Sequence, residues 1–244
     1  MLNNLGLMVG ACYTSRMSSP RRAAPAEAES AVLSRAMEAA AEIRGRISQG
    51  ELRPGDRVPE AKLAESLGVS RNTLREAFRT LSQEGLITQV PNRGAIVAIP
   101  NINTIIDVYR VRQLIECQAV TEALPKHPAI AKMRAAVEAA LEHRERGDWS
   151  AIAGANIAFH RAVFELADSP RLNRLYEQLA TELRLAFGLI DDPEYLHAPF
   201  LERNLAIIEL LESGETERAA AQLKGYLSLA ERILLAGYER LELG

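Results

Sequence analysis

Apolar positions recur every three to four residues through most of this chain, and one short stretch breaks the rule. Ala36, Ala40, Ile43 and Ile47 keep helical spacing, which predicts a first helix from near Ala31 to near Gly50. Pro54-Gly55 signals a turn. Pro59 then opens a short helix with Leu63, Ala64 and Leu67 inward, and Gly68 ends it. Ser70 suits the N-cap of the next helix, in which Leu74, Ala77, Phe78 and Leu81 form one apolar face; Gly85 closes it. Leu86–Val90 and Ala95–Ile99 are short and rich in β-branched residues, and Pro91-Asn-Arg-Gly94 separates them, so they predict a two-stranded hairpin. Beyond Pro100 only helical periods remain: about 103–124, 130–146, 150–168, 171–190, 198–213 and 215–241.

The order helix, helix, tight turn, helix, hairpin is that of a winged helix-turn-helix, here followed by an all-α bundle. The fold class is therefore mainly α in two domains. Residues 31–100 form the winged domain and 101–244 an all-α domain for effector binding and dimerisation. Residues 1–30, which include the Ser18–Arg22 run, lack a hydrophobic period and are expected to be a disordered tail. The 244 residues, 48 % hydrophobic and 25 % charged, suffice for two cores. The net charge of −3 conceals an asymmetry: 13 basic against 10 acidic residues up to Pro100, and 16 against 22 beyond it. A basic front half suits a polyanionic partner. Two cysteines, Cys12 and Cys117, form neither a metal motif nor a disulfide framework. The segment before Cys12 lacks the basic leader and long apolar run of a signal peptide, and no stretch is long enough to cross a bilayer. A cytoplasmic protein without membrane association is expected.

With Leu74, Phe78 and Leu81 facing the core, Arg71, Asn72, Arg75 and Arg79 must face outward, and the three arginines make one ridge. Arg can take a guanine edge with two parallel hydrogen bonds, and Asn can do so with adenine. Ser70 and Thr73, with the first-turn N–H groups, suit phosphate oxygens. Arg93, beside Gly94 at the hairpin tip, can reach an adjacent minor groove.

Leu52-Arg-Pro-Gly-Asp56, Leu63–Ala77 and Leu81–Leu86 resemble the DNA-binding domain of the GntR family of bacterial regulators. The resemblance covers residues 31–99 and implies DNA contacts from Arg71, Thr73 and Arg75 and from the wing around Arg93 and Gly94. Ala61 departs from it: the family's fatty-acid regulator has a further DNA-contacting Arg there, so operator preference does not carry over. Asn156–His160, Ala167–Leu172, Val111–Glu116 and Ile207–Glu215 resemble the helical sensor domain of the FadR-like branch, often called FCD, over about 103–240. Many members hold a divalent metal there with an Asp and three His. The corresponding positions here are Asn156, His160, Asn204 and Tyr226, so a single good ligand remains and no resident metal or other cofactor is expected.

Helical spacing turns Asn156, His160, Asn204 and Tyr226 inward, and buried polar groups must find partners. Two readings stand: they bond one another, or they line a pocket for a small effector in place of the metal. Arg112 could anchor an effector carboxylate or simply pair with Glu116 four residues on. Arg184 is a further candidate for the same cavity. With no nucleophile–base pair, paired carboxylates or phosphate loop, the sequence does not suggest an enzyme. The expected function is a homodimeric repressor that reads a near-palindromic operator and is released by a small metabolite. The alternatives are a constitutive DNA binder and a metal-dependent sensor.

Overall fold

The computed structural model describes residues 25–91 and 93–243. The head comprises α1 (Pro25–Ser48), α2 (Glu60–Ser66), α3 (Arg71–Gln83) and the hairpin β1 (Ile87–Val90)–β2 (Gly94–Val97). The body comprises α4 (Ile102–Thr121), α5 (Pro128–Glu145), α6 (Trp149–Glu165), α7 (Pro170–Phe187), α8 (Pro193–His197), α9 (Leu201–Glu212) and α10 (Thr216–Leu243). The first helix begins at Pro25, not near Ala31, so residues 25–30 are no part of an unstructured tail. Alternating Ala and Glu are strong helix formers and Pro suits a first turn, which extends the helix beyond its apolar stripe. The remainder of the expected tail, residues 1–24, lies outside the described residues.

In the head, Ile43 and Ile47 of α1 pack on Leu74, Phe78 and Leu81 of α3 and on Leu86 and Val97 of the hairpin. Arg44 clamps the end of α3 by donating from Nε and Nη2 to both carboxylate oxygens of Glu84, at 3.0 and 2.7 Å. The hairpin is antiparallel, with Ile87 opposite Val97 and Val90 opposite Gly94. The segment after Pro54 adds a short edge to β2: Val58 N–H donates to Ala95 O and Val97 N–H to Asp56 O, both at 2.9 Å.

In the body, α5 packs along α6 and α4 along α10. One core runs through all its main helices, from Val108 and Tyr109 through Phe159, Phe164 and Tyr176 to Leu223 and Leu234. The helix starts are written locally. Asn101, Asp148, Ser169 and Asp192 each accept an N-terminal backbone N–H with the side chain, and Pro128, Pro170 and Pro193 open their helices. The five-residue α8 was not foreseen, because one turn is too short to show a hydrophobic period.

Helix α7 joins the two halves. Leu183 and Ala186 belong to the body core, whereas Leu185 lies in the core of the head. Arg184 Nε donates to the carbonyl oxygen of Ser48, at the end of α1, at 2.9 Å. Gly188, just past α7, leaves room for the Pro54 ring, whose Cδ lies 3.6 Å from where a side chain would begin.

Candidate nucleic-acid interface and buried polar cluster

Ser70 sits in extended backbone and its Oγ accepts Thr73 N–H at 3.0 Å, so α3 starts where the sequence places it. Arg71, Asn72, Arg75 and Arg79 are all exposed on the face opposite Phe78. Arg79 pairs with Glu76 along the helix at 2.7 Å, whereas Arg71 and Arg75 have no acidic partner among the described residues. Thr73 differs from expectation. It is buried, and its hydroxyl hydrogen-bonds to that of Ser70 at 2.7 Å, so it serves the cap first and is poorly placed to face a phosphate.

The hairpin brings the wing to the same side. Gly94 adopts a positive φ of 82°, a backbone shape that favours glycine, and Arg93 is exposed next to it. Arg75, Gln89 and Gly94 line one groove between α3 and the wing, and Arg57 and Lys62 border a second that again reaches Gly94. The sequence pattern did not mark Gln89, Arg57 or Lys62. Strand alternation alone does not show that Gln89 lies beside Arg75, which is fourteen positions away in the chain.

Inside the body the inward polar residues meet. Arg112 Nε donates to Glu116 at 2.6 Å, and the other Glu116 oxygen lies 2.6 Å from His160 Nδ1. His160 Nε2 lies 3.0 Å from the Tyr226 hydroxyl, which donates to Asn156 Oδ1 at 2.8 Å. Asn204 Nδ2 donates to the same Asn156 oxygen at 3.0 Å. A continuous chain from Arg112 to Asn204 therefore crosses α4, α6, α9 and α10.

Burial pushes the Glu116 carboxyl up, but the Arg112 charge and the His160 contact more than offset it, leaving its pKa below the ordinary value. Burial lowers the His160 pKa despite the neighbouring carboxylate. These two directions describe an ionised Glu116 held by Arg112 and a neutral His160 donating from Nδ1. Tyr226 then has one hydrogen for two acceptors, His160 Nε2 and Asn156 Oδ1. Burial raises the Tyr226 pKa, so the phenol keeps that hydrogen.

Glu116 is the residue that sequence reasoning undervalued. It entered only as a local partner of Arg112, yet it is fully buried and joins α4 to α6. Arg184 is not part of this chain of contacts. It lies at the head–body junction and not in the cavity expected for it. Two voids of about 10 Å³ adjoin the cluster, one beside Asn204 and one beside Arg112 and Tyr226. Asn156, His197 and Phe200 line both voids. Three polar side chains there keep unpartnered buried atoms: Arg112 Nη2, Asn204 Oδ1 and both ring nitrogens of His197.

Residues 35–97 match the family described as bacterial regulatory proteins, gntR family, and residues 107–229 match the FCD domain. The chain belongs to the GntR family and carries an FCD domain. A solved GntR transcriptional regulator from Rhodococcus sp. RHA1 is 36 % identical, with a TM-score of 0.77 over 83 % of this chain and 98 % of that one. The solved McbR/YncC of E. coli shares the fold at a TM-score of 0.69 and 23 % identity, over 84 % of this chain and 98 % of that one. Among curated relatives, a Paenarthrobacter nicotinovorans protein is 29 % identical over 75 % of this chain and 80 % of its own length. It is named as the probable D-xylose utilization operon transcriptional repressor.

This GntR regulator is thus a DNA-binding transcription factor and not an enzyme. The resemblance places the ligands of a divalent metal at four positions of the FCD domain. At the four corresponding positions stand two neutral amides, a phenol that burial keeps protonated and one imidazole that donates from Nδ1 to Glu116 and whose Nε2 competes with Asn156 for the Tyr226 hydrogen. Among the described residues no group of three or more His, Cys, Asp or Glu could hold a metal ion. No helix there is long and apolar enough to cross a membrane.

Proposed function

We propose that this GntR regulator is a cytoplasmic, homodimeric repressor that holds a near-palindromic operator and lets go when a small metabolite enters its FCD domain, without a metal. The observation that carries the DNA half is the α3 face. Arg71 and Arg75 project beside the wing and form no ion pair among the described residues, as suits a major-groove reader. Ser70 and Arg79 flank them for phosphate contact, and Arg93 follows the wing toward the minor groove. Two such heads on a symmetric dimer would read two half-sites in opposite orientation.

The sensing half rests on the orphaned atoms. A buried polar group without a partner costs roughly 1–3 kcal/mol, and the residues that carry such atoms line the voids: Asn204 one, Arg112 the other and His197 both. Opening the partition formed by Asn156, His197 and Phe200 would merge the voids around a ligand whose carboxylate meets Arg112. The ligand shifts DNA affinity only by its preference for one arrangement of the heads. One observation favours the second reading, a constitutive DNA binder: Glu116, His160, Tyr226 and Asn156 already bond one another, and each void has room for about one water.

The test is selection of duplexes from a randomised library with the full chain, followed by binding titrations in increasing salt. The expected product is an inverted-repeat motif bound less tightly as salt rises. Recovery of no two-fold motif would refute the operator reading. If no metabolite in a broad screen raises the melting temperature or alters operator binding, the constitutive reading stands instead.

A further inference from the structure

A further concavity lies outside the buried cluster. A cleft of about 410 Å³ separates the head from the body. Arg53 and the turn after α1 border it on the head side; Arg184, Phe187, Ile190 and Leu196 border it on the body side. We propose that this cleft binds a small monocarboxylate with a compact apolar body, its carboxylate shared by Arg53 of the head and Arg184 of the body.

Charge supports that class of ligand. Arg184 spends Nε on the Ser48 carbonyl, and no carboxylate pairs with its remaining donors among the described residues. Burial alone lowers its pKa, with no acid to offset the effect. Arg53 is exposed and likewise has no acidic side chain paired with its guanidinium. Among the described residues Asp191 is the single acid bordering the cleft, so that lining carries one net positive charge. That balance suits one carboxylate and disfavours a second. Two guanidinium groups offer forked donors that match carboxylate geometry. Phe187, Ile190 and Leu196 supply the apolar wall for the rest of the ligand.

The back of the cleft gives the site its consequence. His197 is buried to 3 % exposure, and neither ring nitrogen has a partner. Phe187, Leu196 and His197 line this cleft and also the void beside Arg112 and Tyr226. A ligand here would press on the partition from outside while tying the head to the body. Since DNA fixes the heads, bound acid and bound DNA must change each other's affinity by the same factor. The proposal does not rest on a ligand entering the buried cluster.

Benzoate is the probe, with benzamide as its neutral counterpart, in calorimetric titration of the full chain. Benzoate should bind saturably with a Kd on the order of 1 mM, as a ligand of this size can. Benzamide should bind at least about tenfold more weakly, because it loses the charge-assisted bonds. Arg184→Gln should weaken benzoate about tenfold and exposed Arg53→Gln about threefold, with Arg184→Lys between wild type and Arg184→Gln. Tyr226→Phe, inside the body, should leave the Kd unchanged. Absence of saturable benzoate binding would overturn the proposal, as would equal binding of benzamide or an unchanged Kd in both glutamine variants. Loss in Tyr226→Phe with Arg184→Gln intact would move the acid into the buried cluster and also overturn it.

Discussion

Two arginine-bearing helices, α3 and α4, make opposite use of the same side chain. On α3, Arg71 and Arg75 stand in solvent without an ion pair among the described residues. On α4, Arg112 is 3 % exposed and its Nε is closed onto Glu116 at 2.6 Å. An exposed cation is hydrated and costs the fold nothing, so its energy is available for a partner. A buried cation is tolerable only because the fold supplies its counter-charge. The first kind should therefore report on binding and the second on folding.

Glu116→Ala should have the largest effect. It strands Arg112 in the body core and removes the His160 Nδ1 partner, so stability should fall by roughly 3–5 kcal/mol in urea unfolding. A loss under about 1 kcal/mol would show that water reaches the cluster, erasing the contrast with α3. Leu185→Ala should come next, at about 2–4 kcal/mol, because it leaves a hole in the head from a residue carried by the body. Native-state hydrogen exchange should then show faster exchange in α1 and α3. If the two halves instead melt independently at unchanged midpoints, α7 is not the strut described here.

Arg71→Ala and Arg75→Ala should each cost about 1–3 kcal/mol of operator affinity. Their effect on stability should stay within about 0.5 kcal/mol. Destabilisation without loss of DNA affinity would reverse the comparison. The smallest effect concerns Glu182, on α7 near Gly85, whose pKa is raised to about 7 by burial and by the charge of Asp107. A carboxyl raised in the folded state binds its proton more tightly there than in the unfolded chain. Its contribution is fully present below the ordinary carboxylate range and is lost as pH rises through about 7. Glu182→Gln should flatten that decline in thermal melts taken between pH 5 and pH 8. An unaltered slope would show that Glu182 reaches solvent freely.

The head was legible because its information is local. The spacing of Leu74, Phe78 and Leu81 fixes which way Arg71 and Arg75 point, and Ser70 marks where the helix begins. Thr73 was misplaced because one turn of helix does not show that its hydroxyl will bond to Ser70. In the body, inward spacing located Asn156, His160, Asn204 and Tyr226 and left open whether they bond one another, as Asn204 and Asn156 do, or line a pocket. Glu116 meets His160 across 44 positions of sequence, and no periodicity encodes that distance. Arg184 was sent to the wrong side for a similar reason. Leu183 and Leu185 are both buried, but in different cores, and only tertiary packing decides which face of α7 belongs to which half.

That single leucine also limits how this protein can be rebuilt. A chimera joined at Pro100 looks reasonable on paper, since the linker separates reader from sensor. It would nevertheless deliver a head with an empty socket and a body with a bare leucine, unless the donor body carries a matching side chain at the same turn of α7. Exchange of specificities between relatives should succeed when that turn travels with the head.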